Sequence, residues 1–141
     1  MAVFRSDILV LGSGVAGLTV AIKTARALPG KKVIVATKAE ESESNTKYAQ
    51  GGIAAVWDQL DSFEDHIEDS MVSGVHLSDR VVVRMVVVYA PDCMRLHMSW
   101  GADFDQTLEG NIDLGKEGGH SALRILLYKD ITGFEVEKTL L

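Results

Sequence analysis

The chain has a single cysteine, Cys93, in 141 residues, so no internal disulfide can form. Cys93 and His97 stand four apart on an expected helix, which is metal-pair spacing. No second pair lies nearby and two ligands do not make a zinc site, so no metal is expected. The pair reads instead as a small core thiol and a surface imidazole. Basic residues are also short: 14 Lys and Arg face 20 Asp and Glu, a net charge of −6. That balance argues against a nucleic-acid surface, which needs clustered cations. The acids Glu40, Glu41 and Glu43 read as a solvated loop. No apolar run approaches the roughly 18 residues of a membrane span. The most apolar stretch, 81–88, is interrupted by Arg84. The opening MAVFRSD lacks a signal peptide's basic-then-apolar order. A soluble, cytoplasmic protein is expected, without internal repeats or low-complexity tracts.

Ser6–Leu11 is short, apolar and rich in β-formers, as a buried parallel strand would be. Val15–Leu28 has helical periodicity, with Leu18, Ile22 and Ala25 on one face, and Pro29-Gly30 stops it. Lys32–Thr37 reads as a second buried strand, completing a βαβ unit. Residues 38–52 form a long polar segment, of the kind that is functional or disordered. Ile53–Trp57 is apolar again. Ser62 with Asp65 predicts a capped helix over Phe63–Ser73, closed by Gly74. Residues 79–100 read as helix with a break or kink near Pro91. Residues 101–119 read mostly as loop, and Ile125–Tyr128 as a short strand. Thr132 with Glu135 predicts a capping box opening a last helix to Leu141.

Gly12-Ser13-Gly14-Val15-Ala16-Gly17 is G-x-G-x-x-G between that strand and helix. Gly12 permits the tight turn, Gly14 lets backbone approach a pyrophosphate, and Gly17 lets helix and strand pack closely. The helix N-terminus then offers free N–H groups and partial positive charge to the phosphates. Dinucleotide binding is expected. The bland alternative is a glycine-rich turn without a ligand. Thr37-Lys38 stands where a ribose-binding acid is usual, which speaks against a plain NAD dehydrogenase.

Four further blocks are informative as a set: Thr37-Lys38, Ser44-Asn45-Thr46, Tyr48-Ala49-Gln50-Gly51-Gly52-Ile53-Ala54-Ala55, and Gly115-Lys116-Glu117-Gly118-Gly119-His120-Ser121. With Arg124-Ile125-Leu126 and Thr132-Gly133-Phe134-Glu135, the chain resembles the flavoprotein family of succinate dehydrogenase, fumarate reductase and L-aspartate oxidase, and within it the L-aspartate oxidase branch. The fold implied is α/β: a Rossmann-like FAD-binding βαβ unit with additional helices, incomplete relative to the full family fold.

The resemblance implies FAD as cofactor. Ser13, Gly14, Val15 and Ala16 would contact its pyrophosphate, and Lys38 the adenosine ribose and phosphate. Residues Asn45, Thr46, Lys47, Tyr48, Ala49, Gln50, Gly51 and Gly52 would wrap pyrophosphate, ribityl chain and flavin with backbone amides. Ser44, Thr46 and Gln50 would add side-chain donors, and the Gly51-Gly52 pair would permit close approach. Asn45 stands where membrane-complex subunits have a histidine bonded to the flavin. Asparagine cannot form that bond, so non-covalent FAD is expected. Glu117 resembles the glutamate that orients substrate, and it could meet the ammonium of aspartate, which succinate lacks. Its rival reading is a surface acid. His120 could bind substrate or flavin, or make a structural hydrogen bond. Lys116, Leu127 and Phe134 depart from the usual arginine, histidine and arginine.

The implied partner is a small dicarboxylate, L-aspartate or fumarate, with no nucleic acid and no membrane. A contact with quinolinate synthase is a further possibility for the family. Family enzymes are several times longer and have a capping domain. The chain is therefore expected to be the N-terminal part of an FAD-binding domain over 1–141, a fragment inactive by itself. Two alternatives stay open: a soluble fumarate reductase or succinate dehydrogenase flavoprotein, and a non-catalytic nucleotide-binding module.

Overall fold

A computed structural model describes residues 3–141. In chain order the elements are β1 (Ile8–Leu11), α1 (Val15–Ala27), β2 (Val33–Ala36), β3 (Ile53–Ala54), α2 (Phe63–Ser73), α3 (Arg80–Ser99), β4 (Leu114–Gly115), β5 (Ile125–Leu126) and α4 (Thr132–Leu140). They fall into two units. One joins the chain up to Ala49 with Gly133–Leu141, and the other is Gln50–Thr132.

In the first unit β1 and β2 pair in parallel, from Ile8 opposite Val33 to Leu11 opposite Ala36. The start of the pair is fixed by Asp7, whose carboxylate accepts the Lys32 N–H at 2.9 Å and the Lys31 ammonium at 3.1 Å. Those two contacts, the backbone N–H foremost, hold the Asp7 carboxyl below its ordinary range. Helix α1 buries Leu18 and Ala21. Ile22 is half-buried and Ala25 is exposed, so the buried face is narrower than the expected one. The helix ends at Ala27, ahead of Pro29, and Gly30 has φ +90°.

The two strands are not the buried strands expected. Ile8 and Val10 are half-buried, whereas Leu9 and Leu11 are 57% and 77% exposed. In β1 the reason is period two in a sheet of only two strands, with alternate residues pointing away from α1, while β2 is half-buried over Val33, Ile34 and Val35. Helix α4 buries Gly133, Glu135, Val136, Glu137 and Leu140.

In the second unit Ser62 caps α2 as expected: its hydroxyl accepts the Asp65 N–H at 3.0 Å and donates to the Asp65 carboxylate at 2.7 Å. Asp79 caps α3, accepting the Val81 N–H at 2.8 Å. The two helices pack through Ile67, Met71 and Val87, flanked by Val56, Phe63 and Val83. Pro91 does not break α3, which runs through it. The buried stripe of α3 is Val87, Pro91, Met94 and His97, at helical spacing. That stripe reverses the expectation for Cys93 and His97. Cys93 is exposed, and His97 is buried with Nδ1 2.7 Å from the Cys93 carbonyl. No group of three potential metal ligands occurs among the described residues.

Strand β5 is central in a three-stranded antiparallel sheet, between β3 and β4. β4 lies in the stretch expected to be mostly loop. Only two residues long, it carries no alternation for periodicity to detect. The capping box at Thr132 also fails. Thr132 is the first helical residue, and its hydroxyl accepts the Tyr128 N–H at 3.0 Å. The Glu135 carboxylate turns instead to the Lys138 ammonium at 2.8 Å.

Candidate cofactor-binding site

The glycine turn follows β1 directly. Gly12 donates its N–H to the Ala36 carbonyl at 2.8 Å, then bends the chain with φ +102°, a region that favours glycine. A Cβ at Gly17 would overlap the carbonyl oxygen of Gly12, so helix and turn approach too closely for any other residue. Gly14 is the N-cap of α1 and supplies no side-chain cap. The Thr46 hydroxyl takes that role from elsewhere in the unit, accepting the Val15 N–H at 3.1 Å. A Cβ at Gly14 would sit 3.3 Å from the same hydroxyl.

Above this turn lies a cleft of about 640 Å³ lined by Gly12, Ser13, Gly14, Thr37, Lys38 and residues 43–46. It gathers eight of the expected contacts: Gly12, Ser13, Gly14, Thr37, Lys38, Ser44, Asn45 and Thr46. Ser13 is buried and donates to the Thr37 hydroxyl at 3.3 Å, which orients both for the cleft. The helix N-terminus contributes N–H groups without intrahelical acceptors. With Lys38 at the rim, the donor set fits the pyrophosphate of a dinucleotide. A second cavity of about 530 Å³, bordered by α2 and α3, has a mainly apolar lining of Val82, Val83, Val86 and Val87. Its polar lining is His66, Ser70, Ser78 and the acid Asp79, with no lysine or arginine, so the cleft over the turn is the better match to phosphate chemistry.

Other expected contacts take different parts. Val15 and Ala16 open α1 and are exposed. Lys47 and Tyr48 turn to Glu43, at 2.6 Å and 2.7 Å, rather than line the cleft. Glu43 is therefore not simply solvated: the Lys47 ammonium first, then the Tyr48 hydroxyl, holds its carboxyl below the ordinary range. Ala49 gives its carbonyl to the Gly133 N–H at 2.9 Å.

Sequence reasoning missed Glu137. Its side chain accepts the Ser44 hydroxyl, and Ser44 in turn accepts the Thr46 N–H at 3.1 Å. The residue is 1% exposed, and its Oε1 has no hydrogen-bond partner. An acid inside a helix gives no sequence signal of burial.

In the second unit Gly51 lies against Glu117: a Cβ there would be 3.1 Å from Glu117 Oε1. Gly52 has φ +77°, and a Cβ would be 2.7 Å from the Leu126 carbonyl. Its lack of a side chain thus serves packing on β5. Gln50 and Glu117 are exposed, and His120 is half-buried. Glu117 donates its N–H to His120 Nδ1 at 3.4 Å, and His120 returns its N–H to the Glu117 carbonyl at 3.2 Å. The Lys116 ammonium donates to the Ser121 carbonyl at 3.0 Å. The His120 ring stands edge-on to His66, centroids 6.4 Å apart. Burial first, then the Arg124 charge, pushes the His66 pKa below its ordinary 6.5.

A family profile described as FAD binding domain matches residues 7–141. The chloroplastic L-aspartate oxidase of Arabidopsis thaliana is 48% identical over 135 residues, covering 96% of this chain and 20% of the relative. The L-aspartate oxidase of Vibrio cholerae is 41% identical over 141 residues, covering 96% of this chain and 26% of the relative. Among solved structures, an E. coli quinol fumarate reductase superposes with a TM-score of 0.92 at 34% identity, covering 99% of this chain and 24% of that one. The chain thus spans about a fifth to a quarter of the length of the curated relatives it matches. No helix among the described residues is long and apolar enough to cross a membrane. With the glycine turn, its cleft and these likenesses in agreement, the chain belongs to the FAD binding domain family of L-aspartate oxidase-like flavoproteins, with FAD as its cofactor.

Proposed function

We propose that this chain is the FAD-binding part of an L-aspartate oxidase, which converts L-aspartate to iminoaspartate with oxygen or fumarate as acceptor, a step of NAD biosynthesis. The curated relatives at 41–48% identity carry that name. When bound, the flavin supplies the redox chemistry by accepting hydride from the substrate Cα. The chain's own residues hold and orient. Gly12–Gly17, Thr37, Lys38 and Ser44–Thr46 take the pyrophosphate and adenosine, and the family resemblance assigns Gln50, Gly51 and Gly52 to the flavin. Asn45 leaves the FAD non-covalent.

The observation that carries the oxidase reading is Glu117 beside Gly51. Gly51 belongs to the segment assigned to the flavin, so a carboxylate there meets whatever the flavin oxidises. A dicarboxylate alone would be repelled by it, and an amino group would be drawn to it. One charge-assisted hydrogen bond is worth about 1.5–3 kcal/mol, or roughly 10- to 150-fold in specificity. Glu117→Gln should lower kcat/KM for aspartate by about that factor and spare fumarate reduction. If both activities fall together, Glu117 is a loop residue and the oxidase assignment loses its chemical support.

The second reading is a soluble fumarate reductase or succinate dehydrogenase flavoprotein, favoured by the likeness to the E. coli quinol fumarate reductase. Product analysis separates the two: iminoaspartate and its ammonia appear only in the first.

A further inference from the structure

We infer that Glu137 is a positioning residue for the cofactor cleft, acting through Ser44 and Thr46 on the N-terminus of α1; this rests on the FAD-binding reading above. Three contacts make the relay. The Ser44 hydroxyl donates to the Glu137 carboxylate. The Thr46 N–H donates to the Ser44 oxygen at 3.1 Å. The Val15 N–H donates to the Thr46 hydroxyl at 3.1 Å. Ser44 and Thr46 line the cleft, so the relay sets two of its walls.

The attraction of the nearby Lys47 charge offsets only part of what burying this acid costs. A 1%-exposed carboxylate with one oxygen unpartnered is costly, and an apolar side chain of similar volume is often neutral or better. What leucine could not do is orient the Ser44 hydroxyl. With the Ser44 proton committed to Glu137, its lone pairs are left for the Thr46 N–H. The Thr46 side chain then stands across the turn at Gly14. Nearby, α4 also holds this segment at Gly133, whose N–H meets the Ala49 carbonyl at 2.9 Å. A Cβ there would be 2.7 Å from that oxygen.

The test measures FAD affinity by flavin fluorescence quenching and the melting temperature of the FAD-free protein, on the full protein. Glu137→Leu should weaken FAD binding about 10-fold. It should also raise the FAD-free melting temperature, by about 2 °C or more. Glu137→Gln, which still offers Ser44 an acceptor, should keep affinity within about threefold. Ser44→Ala should weaken binding as Glu137→Leu does, and the double variant should be no weaker than either single one. A parallel fall of affinity and FAD-free stability in Glu137→Leu overturns the proposal, as does its failure to fold. Unchanged affinity in Glu137→Leu, or additive losses in the double variant, overturns it equally. Gly14→Val serves as the control. If it binds FAD normally, the reading of the cleft itself has failed. If it loses FAD while Glu137 and Ser44 act independently, only the relay has failed.

Discussion

The guanidinium of Arg124 grips the carboxylate of Asp61 with two bonds, Nε to Oδ2 at 3.0 Å and Nη2 to Oδ1 at 2.7 Å. Both side chains are out of water, at 0% and 1% exposure. Its Nη1 reaches Asp69 Oδ2 at 2.7 Å, and that oxygen also accepts the Ser121 N–H at 2.6 Å. The turn bearing Glu117 and His120 is thereby anchored to α2. Breaking a buried pair from one side strands a charge, at about 3–5 kcal/mol. Arg124→Ala should lose about that in urea unfolding. Arg124→Lys should recover only part of it, because lysine lacks the fork. A loss below about 1 kcal/mol for Arg124→Ala would mean that water reaches Asp61 after all.

The glycine turn separates stability from binding. Gly17→Ala places a methyl group on the Gly12 carbonyl oxygen and should destabilise the fold by about 1–3 kcal/mol. A Cβ at Gly14 meets only side-chain atoms, the Thr46 hydroxyl at 3.3 Å and Ser44 at 3.9 Å, so the fold should survive Gly14→Val. FAD should nevertheless be lost on gel filtration, because the branched group fills the approach to the pyrophosphate. Full flavin occupancy in folded Gly14→Val protein would refute the phosphate turn.

Asn45 lines the cleft and has no nucleophile to offer a flavin methyl group. Acid precipitation of the FAD-loaded protein should leave the yellow colour in the supernatant. Colour retained in a washed pellet would show a covalent link through another residue.

His66 gives the fold a pH dependence of definite sign. Its pKa in the folded state lies below the ordinary 6.5, lowered by burial first and by Arg124 second. Asp61 and Asp69 pull the other way, and His120 adds to the depression. As pH falls through 6.5 the unfolded chain gains a proton that the folded chain refuses, so stability falls. The slope ends once pH passes the folded value and both states are protonated. His66→Gln should flatten the fall of melting temperature that sets in as pH drops through 6.5. An unchanged slope in that variant would assign the effect to another histidine.

Gly12 and Gly17 were legible in the sequence because a positive φ and a backbone overlap leave glycine almost no substitute. Ser62 with Asp65 was legible because its bonds span three residues. Glu137 was not, since its partner Ser44 is 93 positions away and an acid in a helix reads as solvated. Arg124 opens the Arg124-Ile125-Leu126 motif, yet its partners Asp61 and Asp69 lie in segments with no pattern linking them to it. His97 and Cys93 exchanged places because four-residue spacing says only that they share a side of α3. Which of them falls on the buried stripe depends on Val87, Pro91 and Met94.

The 93-residue separation of Ser44 and Glu137 also orders assembly in time. On the ribosome, β1, α1 and β2 are complete while most of the chain is still unmade, and their pairing closes over a short span. Residues 44–49 emerge soon after, with Thr46 able to meet the Val15 N–H, but their contacts to Gly133 and Glu137 form only once α4 is made. A nascent chain halted before residue 133 should hold FAD poorly, because the contacts of Gly133 and Glu137 to residues 44–49 are then unmade.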